Sequence, residues 1–284
     1  MRAGLLQLCA SDDPQANLAP VRAAVRRAVE GGAGFVLTPE VTNCLSSSRS
    51  HQQAVLHHEA DDPMLALLRD EAARAGIWLL AGSLVLKTQD GDGRFANRSL
   101  LIDPAGAIVA RYDKIHLFDV QVSDTETYRE SAGIRPGDRA LLVPTPFAAL
   151  GLSVCYDIRF AHLYRALAQA GAQVLCVPAA FSPVTGAAHW EVLLRARAIE
   201  TGCYVLAPAQ TGRHPCGTGQ VRSTWGHAMA IAPWGEVLAD AGTEPGVIFA
   251  DLDMAEVVRA RARVPALSHD RPFASPRPIV EGPV

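Results

Sequence analysis

Cys155, Glu40 and Lys114 are the three residues of this 284-residue chain whose types suit joint work on one bond. A thiol near its ordinary pKa is only slightly ionised at neutral pH, so a nucleophilic cysteine needs a base or a cation beside it. A carboxylate partly desolvated in a pocket has a raised pKa and takes that proton. An ammonium near a carbonyl oxygen stabilises the oxyanion that develops there, helped by a backbone N–H such as that of Tyr156. Together these types would suit attack by sulfur on a carbonyl group. Taken singly, each residue has a plainer reading: a core cysteine, a loop carboxylate and a solvated charge at a hairpin end. Two other arrangements compete. Gly151-Leu152-Ser153 begins like a serine-hydrolase elbow, but that pattern needs glycine two places after the serine, where Cys155 stands. A cysteine–histidine pair would use His116 or His162 as base in place of Glu40.

Residues this far apart need a scaffold that gathers them. Short apolar runs alternate with helical patterns, the signature of an α/β layered protein. Strands are expected at 4–9, 35–37, 77–86, 99–102, 107–112, 150–155, 174–177, 203–208, 227–232 and 247–251. Asp13 with Pro14 predicts a capped helix running to Glu30, with Leu18, Val21, Val25 and Val29 on its buried face. Asp62 with Pro63 repeats that signal, further helices are expected at 160–170 and 187–201, and Asp253 with Glu256 makes a capping box for a last short one. Glu40, Lys114 and Cys155 then all fall at the carboxyl ends of strands, where sites gather in open α/β sheets. The loop 43–49 is expected at the pocket mouth. An internal echo relates residues 26–39 to 165–178: each reads helix, Gly-Ala turn, apolar strand, proline. Such turns are common in α/β proteins, yet the repeat suggests two similar half-folds packed sheet against sheet. No linker interrupts the chain, so one domain over 1–284 is expected, with an irregular Pro-rich tail from about 268.

Composition narrows the partners. A net charge of −3 and a pI near 6.3 leave no electrostatic footprint for nucleic acid or an anionic membrane. Residues 1–10 are too short an apolar stretch for a signal core or a membrane span. The six cysteines are scattered, mostly in apolar runs, which suggests a reduced, cytoplasmic protein rather than a disulfide framework. Neither CxxC nor HExxH spacing occurs, and His57-His58 and His214-Pro215-Cys216 read as loop residues.

The residues flanking the three candidates carry a resemblance. Thr38-Pro39-Glu40, the run from Arg111 to Asp119 and the run from Gly151 to Phe160, in that order, resemble the nitrilase superfamily of carbon–nitrogen hydrolases. Tyr128-Arg129-Glu130-Ser131 with Pro136-Gly137-Asp138, residues 185–200 and Pro233-Trp234-Gly235-Glu236 are similar too, so the likeness extends to about Asp253. It implies a four-layer αββα sandwich, pairing into homodimers, and an amidase site without metal or organic cofactor. Carried over by position, Glu40 is the general base, Lys114 stabilises the tetrahedral intermediate, Cys155 forms a thioester and Glu130 helps orient the lysine and the substrate.

Residues 191–210 and Phe181 with Thr185-Gly186 look most like the deaminated glutathione amidase branch, with the ω-amidases acting on α-ketoglutaramate as near relatives. That implies a small α-keto acid amide as substrate, touched by Tyr156, Arg159, Phe181 and Thr185. Arg159 and Arg195 are candidates to anchor its carboxylate, and either equally suits a structural ion pair. The chain departs from the pattern at Ala161-His162, where the family often has Pro-Glu, and at Trp225-Gly226-His227-Ala228, where it often has Tyr-Gly-His-Ser. A catalytically inactive binding protein on the same scaffold is the alternative from a different class.

Overall fold

Period-two alternation along the first strands sets the layering. A computed structural model describes residues 1–122 and 127–275. In the strand Arg2–Leu8, Ala3 and Leu5 join Phe35, Leu37, Leu80 and Leu101 in a core shared with a second sheet. Their neighbours Leu6 and Leu8 turn the other way with Val36, Leu79, Ala81 and Leu100, onto Val21, Val25, Met64 and Leu68 of two helices. The α-helices among the described residues are α1 (Pro14–Glu30), α2 (Arg49–Val55), α3 (Pro63–Ala75), α4 (Ala161–Gln169), α5 (Pro183–Thr201) and α6 (Met254–Arg263). α1 and α3 cover the outer face of the first sheet, while Leu163, Tyr164 and Leu167 of α4 and Trp190, Leu194 and Ala198 of α5 cover the second. The result is the expected αββα sandwich.

The centre of the first sheet is parallel, with Phe35–Leu37 between Arg2–Leu8 and Trp78–Lys87. Phe95–Ile102 and Ile108–Asp113 extend it antiparallel, and Gly246–Asp251 runs antiparallel along Arg2–Leu8. The second sheet is built the same way: Val174–Cys176 lies parallel between Ala149–Leu152 and Tyr204–Ala207, with Leu141–Pro144, Met229–Ile231 and Val237–Asp240 antiparallel outside them. Arg2–Leu8, α1, Phe35–Leu37 and Ala149–Leu152, α4, Val174–Cys176 are therefore equivalent strand–helix–strand units, which is what the internal echo encodes.

The caps form as read at two helices: the Asp13 carboxylate accepts from the Gln15 N–H and that of Asp62 from the Leu65 N–H, both at 2.9 Å. Such a cap contributes about 1 kcal/mol. At α6 the Asp253 carboxylate accepts from the Ala255 N–H, but Glu256 pairs forward with Arg259 instead of reaching back, so the capping box is not formed. Two further corrections bear on the site. The strand expected at 150–155 stops at Leu152, and Cys155 opens a 3-10 turn, Cys155–Arg159. α5 begins at Pro183, a turn earlier than expected, because Pro183 supplies the same first-position signal as Pro14 and Pro63. Of the Pro-rich tail, residues 269–275 carry no regular element, and 276–284 lie outside the described residues.

Candidate active site

Glu40 is placed by tight packing just past the strand Phe35–Leu37. The Thr38 hydroxyl oxygen accepts from the Gly82 N–H at 3.0 Å. A Cβ on Gly82 would lie 1.9 Å from the Thr38 carbonyl oxygen and 2.6 Å from the Pro178 Cβ, so only glycine lets the two strands and the second sheet approach this closely. Glu40 is thereby turned inward and is 4% exposed. Both carboxylate oxygens are engaged. Oε1 accepts from Lys114 Nζ at 2.9 Å and from Asn97 Nδ2 at 3.0 Å; Oε2 accepts from the Ala180 N–H at 2.9 Å. The Cys155 thiol is also hydrogen-bonded to this carboxylate.

Lys114 follows the strand Ile108–Asp113 and is fixed at both backbone ends, its N–H donating to the Asn97 carbonyl and its carbonyl accepting from the Gly137 N–H. Its Nζ also donates to Glu130, at 3.0 Å to Oε1 and 2.8 Å to Oε2. Glu130 is steadied by the Phe118 N–H at 2.7 Å. Asn97 Nδ2 bridges the two carboxylates, reaching Glu130 Oε1 at 3.2 Å. Because both of its neighbours are acceptors, the amide nitrogen is the atom that must face them.

Cys155 sits on a sharp turn with φ of 48°, a left-handed conformation uncommon for a residue with a side chain. Asp157 holds that turn. Fully buried, it accepts from the Val154 N–H (2.8 Å), the Tyr112 hydroxyl (2.7 Å) and the His116 N–H (3.0 Å), with His116 Nδ1 at 2.7 Å. One carboxylate thus ties the cysteine turn to the segment carrying Lys114. The Cys155 N–H donates to the Pro178 carbonyl at 2.9 Å, which joins the turn to the end of Val174–Cys176.

The electrostatics correct one expectation. Burial by itself would raise the Glu40 pKa, but the charge and hydrogen bond of Lys114, with hydrogen bonds from Cys155 and Asn97, outweigh it and hold the carboxyl below its usual value. Burial, with the adjacent Glu40 charge, pushes the Cys155 thiol well above 9.0. Lys114 would lose its proton on burial alone, but Glu130 and Glu40 keep it charged. The resting set is a thiol, two carboxylates and an ammonium.

These groups floor a cavity of about 850 Å³. Tyr156, Phe181 and Thr185 line it, as do Cys44, Leu45, Ser46, Ser47 and Arg49 from the loop 43–49. Arg159 is not among the lining residues. Its guanidinium packs 5.9 Å from the Tyr156 ring and 5.3 Å from the Phe181 ring, with Nη1 3.3 Å from His189 Nδ1. Arg195 also serves the structure, donating to the Gly235 carbonyl at 2.9 Å and pairing with Glu191 at 3.2 Å. At the two departures, His162 stacks edge-on against His116 and Phe160, and Ala228 donates its N–H to Gln7 Oε1, so neither lines the cavity.

The competing nucleophile and base are placed elsewhere. Ser153 is buried, donating to the Cys176 carbonyl and accepting from the Tyr164 hydroxyl. His116 is bound to Asp157 and stacked on Phe160 with ring centroids 3.5 Å apart. His214 is a buried loop residue whose ring meets the Ala10 carbonyl and Thr224 hydroxyl; burial lowers its pKa to about 4. Among the described residues, no group of three or more His, Cys, Asp or Glu is placed to hold a metal ion. Asn97, Asp157 and the Ala180 N–H went unrecognised in the sequence. Asp157 had a signal, lying two residues past Cys155, whereas nothing local marks Asn97 or Ala180.

The profile of the carbon–nitrogen hydrolase family matches residues 2–262. Deaminated glutathione amidase from Yersinia enterocolitica is 39% identical over 94% of this chain and 92% of its own length, and that from Synechocystis sp. is 42% identical over 94% and 97%. Omega-amidase NIT2 from Homo sapiens is 34% identical over 95% of each. Among solved structures, the C. elegans NitFhit protein matches with a TM-score of 0.86 at 35% identity, over 95% of this chain and 65% of that longer one. An amidase from Nesterenkonia sp. AN1 matches at 0.75 and 31% identity, over 93% and 98%. A glutamate-to-glutamine mutant of that amidase carries acrylamide added covalently at its active site cysteine.

Proposed function

This chain belongs to the carbon–nitrogen hydrolase family, and we propose that it is an amidase releasing ammonia from the terminal amide of a small α-keto acid, deaminated glutathione foremost. The observation that carries the reading is the meeting of the Cys155 thiol, the Glu40 carboxylate and the Lys114 ammonium at the floor of one cavity. Because the thiol pKa is high and the carboxyl pKa low, a free thiolate is not the resting nucleophile. The proton passes to Glu40 as sulfur attacks the amide carbonyl, so charge appears only on the carbonyl oxygen. Lys114 spends two donor contacts on Glu130; giving up one frees an N–H for that oxyanion. The Tyr156 N–H, in the first turn of a 3-10 helix where the ladder leaves donors unused, is the second candidate donor. Protonated Glu40 gives its proton to the leaving nitrogen, the carbon–nitrogen bond breaks, and ammonia departs from a thioester on Cys155. Water then enters and attacks as Glu40 takes its proton; the second intermediate collapses to the acid, the carbon–sulfur bond breaks, and Glu40 returns the proton to sulfur, restoring the thiol and the carboxylate. Glu130 orients Lys114 throughout.

The names of the relatives support the substrate class, with α-ketoglutaramate as the second choice. Ammonia release from deaminated glutathione, α-ketoglutaramate, a simple aliphatic amide and a nitrile tests it: an α-keto amide is expected to be cleaved most efficiently. Preference for the nitrile would overturn the substrate assignment, and no ammonia from any of the four would overturn the reading and favour a binding role. We also propose a cytoplasmic location, supported by six unpaired cysteines, and a homodimer. No described helix is long and apolar enough to cross a membrane.

A further inference from the structure

We propose that Arg222 captures the carboxylate of the substrate and so selects anionic amides, an inference that rests on the amidase reading above. Arg222 lies in the segment between the strands Ala209–Arg213 and Ser223–Trp225 and lines the same cavity as Cys155. Its guanidinium lies over the Tyr128 ring, with Cζ 5.4 Å from the centroid, which seats the side chain against an aromatic face. Its backbone carbonyl accepts from the His214 N–H at 2.9 Å, fixing the base of the side chain. Among the described residues no carboxylate pairs with it; its Nε is closed off from solvent without a hydrogen-bond partner, which leaves the two terminal Nη groups to meet a ligand in the cavity. A guanidinium whose terminal N–H groups are not spent on a protein carboxylate is suited to a partner that arrives with the substrate.

The other cations of the cavity are less suited. Lys114 is held by two carboxylates, Arg49 donates to the carbonyls of Ala132 and Gly93, and Arg129 is exposed, where salt screens it. Charge also orients the substrate. Glu40, Glu130 and Lys114 leave the floor with one net negative charge, while Arg222 stands on the wall. An acid amide entering carboxylate-first meets repulsion at the floor; entering amide-first, it presents its carboxylate to a planar donor fork suited to bidentate pairing.

The test compares α-ketoglutaramate with the neutral amide pentanamide in the wild type, Arg222→Gln and Arg222→Lys, with 2-oxoglutarate as a competitive inhibitor of pentanamide hydrolysis. In Arg222→Gln the ratio of kcat/KM for the anionic over the neutral amide is expected to fall about 10- to 100-fold, carried by KM, with inhibition by 2-oxoglutarate weakened in parallel. Arg222→Lys recovers part of both. An unchanged ratio, or equal losses on both amides, overturns the inference while leaving the amidase reading intact. Arginine-dependent inhibition by 2-oxoglutarate in a protein that cleaves no α-keto amide would instead sustain the anion site and refute the substrate assignment.

Discussion

Glu40 has to act as a base while lying 2.9 Å from an ammonium, and that tension shapes the pH behaviour. Its carboxyl is held below 4.5, while the Cys155 thiol and the Lys114 ammonium keep their protons above 9.0 and 10.5. The expected kcat/KM profile is therefore flat from about pH 5 to about 8.5, without a step near 6.5. A limb at that pH would give the base role to a histidine such as His116. The same shifts have a stability counterpart. The depressed Glu40 pKa stabilises the fold above its unfolded-state value and loses that contribution as pH falls through the lower folded one. The raised Lys114 pKa stabilises below its unfolded value and loses its share as pH rises through the folded one. Asn97 carries a separate prediction, since its amide donates to Glu40 and Glu130 alike. Asn97→Ala should lower kcat by about 10- to 100-fold with little change in KM, the scale of hydrogen bonds to charged groups. An unaffected kcat would show that Lys114 alone orders the two carboxylates.

At the scale of elements, apolar runs ending in turns put the three candidates at strand ends, but the motifs flanking them, through the family resemblance, singled them out; helix starts were legible where Asp precedes Pro, at Asp13-Pro14 and Asp62-Pro63. What escaped was short or held by distant partners. The strands Leu141–Pro144 and Val237–Asp240 are four residues each, too brief for alternation to show. α2 has no buried residue to give it a helical stripe. The end of Ala149–Leu152 was misplaced because Val154 and Cys155 continue its apolar run, while the break comes from Asp157 bonding Val154, Tyr112 and His116. That carboxylate is predicted to matter more than its sequence neighbours. Asp157→Ala should destabilise the fold by about 2–4 kcal/mol in denaturant unfolding, because several buried donors lose their acceptor at once. A loss under about 0.5 kcal/mol, the range of an ordinary surface substitution, would contradict this view of the cysteine turn.

Across the whole molecule, the two sheets share one core, and Glu40 from one meets Cys155 and the Ala180 N–H from the other at their common edge. Away from this site, Ile199, Trp234 and Val264 are 59%, 43% and 57% exposed and line an apolar groove beside α5 and α6. Apolar surface of this kind favours the proposed pairing of two copies. Ile199→Glu should shift the mass measured by light scattering from dimer to monomer, and a wild type that is already monomeric at micromolar concentration would refute the pairing. The account as a whole depends on the sulfur of Cys155 carrying the acyl group. Acid quench of a reacting sample followed by peptide mass mapping reads this directly. The predicted result is an adduct equal to substrate minus ammonia on the peptide holding Cys155, absent from a folded Cys155→Ala protein that releases no ammonia. Continued ammonia release by that variant, or an adduct on another residue, would contradict it.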